Sequence, residues 1–188
     1  EPGTDGWDYD NDLDIIDQMQ GAMTLEREFD PVQTYFGIPT WETMMDSWHL
    51  MNDTRYLIGI GKKGAAMALS VAACKPQNVA AVLAIGGELS EKSLEKAVYA
   101  PVPIWLCDTN EDTVSYFVRA NETHKLHENR WECPFNQLQC VEIHPEADMC
   151  PVFLEKVWKE LFRKVRRTNT GRYGNVMHRT DIAKYNGE

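Results

Sequence analysis

The chain is 188 residues long, 43% hydrophobic and 10% aromatic, which suits one well-buried core and leaves little room for a second independent domain. Its 29 acidic against 19 basic residues give a formal net charge of -10, which repels polyanions and excludes a general electrostatic footprint for DNA or RNA. No stretch approaches the roughly 20 consecutive apolar residues of a membrane-spanning helix, so neither nucleic acid nor a membrane is an expected partner.

Residues 1–11 mix Pro, Gly and Asp around Trp7 and Tyr9 and read as a loop. Leu13, Ile16, Met19 and Met23 come next at helical spacing, behind acids suited to a cap and first turn, which predicts a helix over 11–24. The alternating Asp8, Asp10, Asp12 and Asp14 look like the opening of a calcium loop. Leu13 stands where that loop needs glycine and Met19 where it needs a bidentate glutamate, so calcium is not expected. Residues 26–39 read as connecting structure, and Thr40 is expected to cap a second helix over Trp41, Met44, Met45 and Trp48, an apolar stripe suited to core packing. The start shows no basic segment leading into an apolar one and opens on Glu1 in place of Met, which predicts a processed or trimmed N-terminus and leaves the compartment open between cytoplasmic and secreted.

From Arg55 the pattern changes. Tyr56–Ile60 is a short apolar strand that enters the Gly-rich turn Gly59-Ile60-Gly61-Lys62-Lys63-Gly64, and an Ala-rich helix runs from Gly64 to Cys74. Strands over Val79–Ile85, Val102–Cys107 and Leu138–Ile143 alternate with helices over Ser90–Val98, Val114–Glu128 and Pro151–Arg167. Apolar strands interleaved with helices predict an α/β fold, with a mostly parallel sheet and helices on both faces. The expected organisation is an N-terminal helical and loop segment (1–54) of the same domain, a core over 55–167 and a tail over 168–188.

The cations from Arg163 to Arg172 read as a helix C-terminus complementing its dipole. Cys74, Cys107, Cys133, Cys140 and Cys150 are odd in number and irregular in spacing, so they define no disulfide framework. His124, His127, Cys133 and Cys140 match no zinc ribbon or finger spacing. No metal or other cofactor is expected.

Two chemistries compete for the Gly-rich turn. Gly59, Gly61 and Gly64 satisfy G-x-G-x-x-G between a strand and a helix, and Glu88 comes after the next strand, where a ribose-binding acid belongs. Against a dinucleotide site, more than fifty residues precede the turn, and its two lysines have no place in that pattern. The alternative is a nucleophile elbow, G-x-S-x-G, in which a sharp strand-to-helix turn lifts one side chain above the sheet. An acid should then follow the third strand, where Glu111 and Asp112 stand, and a histidine the fourth, where His144 stands.

On these residues, the stretches RYLIGIGKKGAAMALSVAACKPQNVAAVLAIGG and APVPIWLCDTNEDTV resemble the polyhydroxybutyrate-depolymerase and feruloyl-esterase-like branch of the α/β hydrolases, from Arg55 to about Arg167. The resemblance implies the C-terminal portion of an α/β-hydrolase fold. It puts Gly61 at the nucleophile position, Lys63 at the last glycine of the elbow and Asp112 at the triad acid. The histidine would fall near Asp148 or Met149, with His144 early. Since glycine forms no acyl-enzyme, the resemblance implies a catalytically degenerate hydrolase that binds or scaffolds. The alternatives are an ester hydrolase with another nucleophile, and a nucleotide-binding domain using Gly59, Gly61 and Gly64. Gly59, Lys62, Lys63 and Gly64 are the expected ligand-binding residues, for a small anionic or ester ligand. The earlier strands of such a fold are expected from an N-terminal segment of the same gene product, or their place from a homodimer edge.

Overall fold

The computed structural model describes residues 55–145, 150–168 and 171–179. The helices expected over 11–24 and from Thr40, the Asp8 to Asp14 run, Asp148 and Met149 lie outside these residues.

Strand β1 (Tyr56–Ile60) turns directly into helix α1 (Gly61–Cys74). Alanine, the best helix former, dominates α1, and every residue from Ala65 to Ala73 is buried. The helix stops ahead of Pro76, which opens a single 3-10 turn over Pro76–Asn78. Strand β2 (Ala81–Ile85) leads to the short helix α2 (Glu91–Lys96), whose cap Ser90 accepts a hydrogen bond from the Ser93 N–H. The wholly buried β3 (Ile104–Cys107) precedes helix α3 (Glu111–Ala120). Asn110 caps α3 by accepting from the Thr113 N–H at 2.9 Å, with acids in the first turn and Arg119 in the last, as the helix dipole favours.

The helix expected over Val114–Glu128 ends eight residues early. Asn121 Nδ2 donates to the carbonyls of Phe117 and Val102, Thr123 Oγ1 donates to Val118 O, and Glu122 takes a φ of 53°. The bonds to Phe117 and Val118 satisfy carbonyls that a continued helix would have used, the bond to Val102 ties the helix end to the approach to β3, and the chain leaves in a left-handed turn. It then forms an antiparallel hairpin, β4 (His124–His127) and β5 (Arg130–Cys133), which continues into β6 (Asn136–Ile143).

The six strands lie in the order β1-β2-β3-β6-β5-β4, parallel from β1 through β6 and antiparallel beyond. Alternation divides the core. Val82, Ala84, Ile104, Leu106 and Val141 pack with α1 and α3 on one face, while Ala81, Leu83, Trp105, Cys107 and Cys140 pack with helix α4 (Pro151–Glu160) on the other. Burying each leucine-sized side chain this way stabilises by about 2 kcal/mol. The fold is thus an α/β fold with a mostly parallel sheet covered on both faces.

The helix expected to run to Arg167 ends at Glu160. Strand β7 (Val165–Arg167), within the expected helix, then pairs antiparallel with β8 (Val176–His178), which lies inside the segment expected to be a tail. The expected cationic helix end is not formed: Arg167 is 2% exposed and donates to the carbonyls of Val79, Pro101 and Tyr173. An extended strand is what carries the guanidinium to those three acceptors. Among the described residues no helix is long and apolar enough to cross a membrane.

Candidate functional site

Strands β1, β2 and β3 end in register at Ile60, Ile85 and Cys107. The next residue of each adopts the left-handed region: Gly61 at φ 70°, Gly86 at φ 80° and Asp108 at φ 51°. Glycine enters that region freely, and Asp is one of the few residues with a side chain that visits it. The three chains diverge there and leave a crevice of about 340 Å3 at the C-terminal edge of the parallel sheet. Lys62 from α1 lines it, with Gly86, Gly87 and Glu88 from the loop after β2, and Asp108, Thr109 and Asn110 from the loop after β3. Ligands of open α/β sheets bind at this edge.

The walls are locked to one another. Thr109 Oγ1 donates to Gly87 O at 2.8 Å, Asn110 Nδ2 donates to Glu88 Oε2 at 2.8 Å, and the Gly86 N–H donates to Cys107 O at 2.9 Å. Two glycines set how closely α1 approaches the strands. A Cβ on Gly59 would lie 2.5 Å from Gly64 O and 2.7 Å from the Ala65 Cα, and one on Gly87 would lie 2.6 Å from the Ala65 Cβ. A Cβ on Gly61 would meet nothing within 4 Å. The start of α1 has neither a side-chain cap nor an acid in its first turn, so its N–H groups and the positive end of its dipole stand open beside Gly61.

Of the residues the sequence singles out, Lys62 and Glu88 line the crevice, and Gly61 stands next to its wall, its Cα 3.6 Å from where a Cβ on Gly86 would lie. Lys63 is exposed and is not among its lining residues, and Gly64, with the nearest atom to an added Cβ 4.0 Å away, has room for a side chain. Asp112 is exposed in the first turn of α3 and does not line the crevice. Helix capping there falls to Asn110, and the carboxylates at the crevice are Glu88 and Asp108. His144 comes after β6, three strand spacings or about 14 Å from the line of β1. Its ring packs on Trp105 at 4.2 Å between centroids and against Phe153 on the α4 side, with Nε2 3.2 Å from Glu142 Oε1. The structure therefore gathers Gly61, Lys62 and Glu88, and leaves Asp112 and His144 apart from them.

Around His144, Glu142 also pairs with Arg130, which binds Glu132 in turn. Burial works to raise the Glu142 carboxyl, but the neighbouring His144 imidazole and the Arg130 charge outweigh it and hold the group below the usual range. Burial pushes the thiols of Cys107 and Cys140 up to about 12, which makes both inert as nucleophiles at neutral pH. Ser70 is fully buried, with Oγ donating to Ala66 O and bonded to Ser93 Oγ, so it cannot replace a nucleophile at position 61. Among the described residues no group of three or more His, Cys, Asp or Glu is placed to hold a metal ion. His124 and His127 stand on an exposed strand, not at a helix end as the sequence suggested.

The fold and crevice together define an α/β protein with an open crevice at its strand ends. Comparison with protein-family models, with curated proteins and with solved structures finds no match for the chain.

Proposed function

We infer that the chain is an α/β-hydrolase-like protein whose elbow has lost its nucleophile, and that it acts by holding a ligand in the strand-end crevice and not by acyl transfer. One observation carries this reading. Gly61 sits between a parallel strand and a helix at φ 70°, with open space where a side chain would project, which is the geometry of an elbow without its hydroxyl. The hydroxyls nearby are engaged: Thr109 donates to Gly87 O, and Thr113 Oγ1 accepts from the Leu89 N–H. Lys62 and the open start of α1 favour an anionic or carbonyl oxygen, while Glu88 and Asp108 can accept hydrogen bonds from hydroxyl or amide groups. A small ester or carboxylate that also carries donors fits this mixture better than a bare polyanion does.

The test has two arms. The protein should neither hydrolyse short p-nitrophenyl esters nor be labelled by a fluorophosphonate. Small carboxylates and esters at millimolar concentration should shift the backbone amide resonances of residues 61–63, 86–88 and 108–110. Covalent labelling of a serine would restore the ester-hydrolase alternative, and shifts confined to other regions would move the site elsewhere. Glu88, placed in the crevice after β2, favours the dinucleotide alternative; titration with NAD that moves the same resonances at micromolar concentration would establish it.

A further inference from the structure

The two rims of the six-stranded sheet are built differently. The β4 rim reads His124-Lys125-Leu126-His127, is exposed throughout and breaks its pairing register between Lys125 and His127. Charge and irregularity of that kind keep a strand edge from recruiting another strand. The β1 rim reads Tyr-Leu-Ile-Gly-Ile, keeps an unbroken register against β2 over five residues, and carries no charge, proline or bulge. Its composition belongs to the interior of a sheet. On the side of β1 facing α4, Ile58 is 49% and Ile60 53% exposed, and Trp158 of α4, 6.3 Å from the Tyr56 ring, is 45% exposed. Together they form an apolar strip beside a strand edge.

We propose that residues 1–54 of this same chain are the occupant of that surface, lying along the outer edge of Leu57–Ile60 and over the strip of Ile58, Ile60 and Trp158. Three observations select this occupant. Seven residues separate the apolar stretch from Trp41 to Trp48 from Tyr56, and connections of that length place neighbouring elements side by side. Tethered this closely, it is present at about millimolar effective concentration, which a second copy or a separate polypeptide does not reach at ordinary protein concentrations. It also carries the matching chemistry: Trp41, Met44, Met45 and Trp48 recur at helical spacing, an apolar stripe of the kind that covers isoleucine and tryptophan.

The test uses the whole 188-residue chain. The photo-crosslinking residue p-benzoylphenylalanine replaces Ile58 in one preparation and Trp158, on the outer helix, in another, so that loss of folding in the first leaves the second to decide. Irradiation should join either position to peptides from residues 1–54 within a single chain. Species of doubled mass would assign the surface to a second copy instead, and absence of any link to 1–54 in both preparations would overturn the proposal. Hydrogen exchange on the unmodified chain provides the independent reading. Amides of Leu57–Ile60 should exchange at least about tenfold more slowly than those of the bare His124–His127 rim. Equal rates at the two rims would contradict a covered β1.

Discussion

Position 61 separates shape from chemistry. Its side-chain space is empty but its backbone is left-handed, so Gly61→Ser should fold at a loss of about 1 kcal/mol, read as a lower urea midpoint. The variant should remain inactive toward p-nitrophenyl esters, because the His144 ring is engaged by Trp105, Phe153 and Glu142 and triad members act as a unit. Arg167 makes the opposite case, a charge with a purely architectural task. Burial pulls its guanidinium down to about 10, still cationic at neutral pH, and its fork serves three carbonyls. Arg167→Met should lower unfolding free energy by about 3 kcal/mol through those abandoned acceptors, with Arg167→Lys recovering part of it. Glu142 gives a pH signature. Its folded-state carboxyl lies below the unfolded one, so its contribution is fully present above the unfolded value of about 4.3 and is lost as pH falls through the lower folded value. Denaturant titrations across the acid range should show a shallower loss of stability for Glu142→Gln than for the parent chain.

At the scale of elements, the junction of β1, α1 and the loop after β2 is the tightest packing around the crevice. Gly59→Ala would drive a methyl into the α1 backbone and should lower stability by about 3 kcal/mol, measurable by chemical denaturation, whereas Gly64→Ala meets no neighbour closer than 4.0 Å and should be tolerated. This junction was legible in the sequence because its signals are local: an apolar run, a glycine-rich turn and an alanine-rich helix. The parallel strands were legible for a similar reason, since burial on both faces leaves continuous apolar runs such as Ala81–Ile85. The hairpin was not. His124–His127 and Arg130–Cys133 carry the polar mixture of exposed strands, and the signal that ends α3 lies in side-chain bonds from Asn121 to the distant Val102 carbonyl and from Thr123 back to Val118. Ribbon β7–β8 escaped likewise, because Val165 fits a helical stripe as well as a strand and only the carbonyls of Val79 and Pro101 make Arg167 extended. Within the site, Gly61 and Lys62 could be read from the turn. Asp108 could not, because what places it at the crevice is a left-handed backbone angle that aspartate can adopt but that its sequence does not dictate.

For the molecule as a whole, charge sets the first expectation. With ten more acidic than basic charges, the protein should leave the mobility of a short DNA duplex unchanged even at low salt, where any cationic patch would act most strongly. Retention of the duplex would show that Arg163, Lys164 and Arg172 act together as a local exception. The unequal rims have a consequence for assembly. A sheet with two bare rims can join end to end without limit, whereas this one has a single rim fit for joining, because Lys125 and the register break disqualify β4. Two copies meeting at β1 across a symmetry axis would each consume the rim they share, and growth would stop there. Stripping the cover from β1 thus yields a closed pair whose mass depends on concentration, and not a filament.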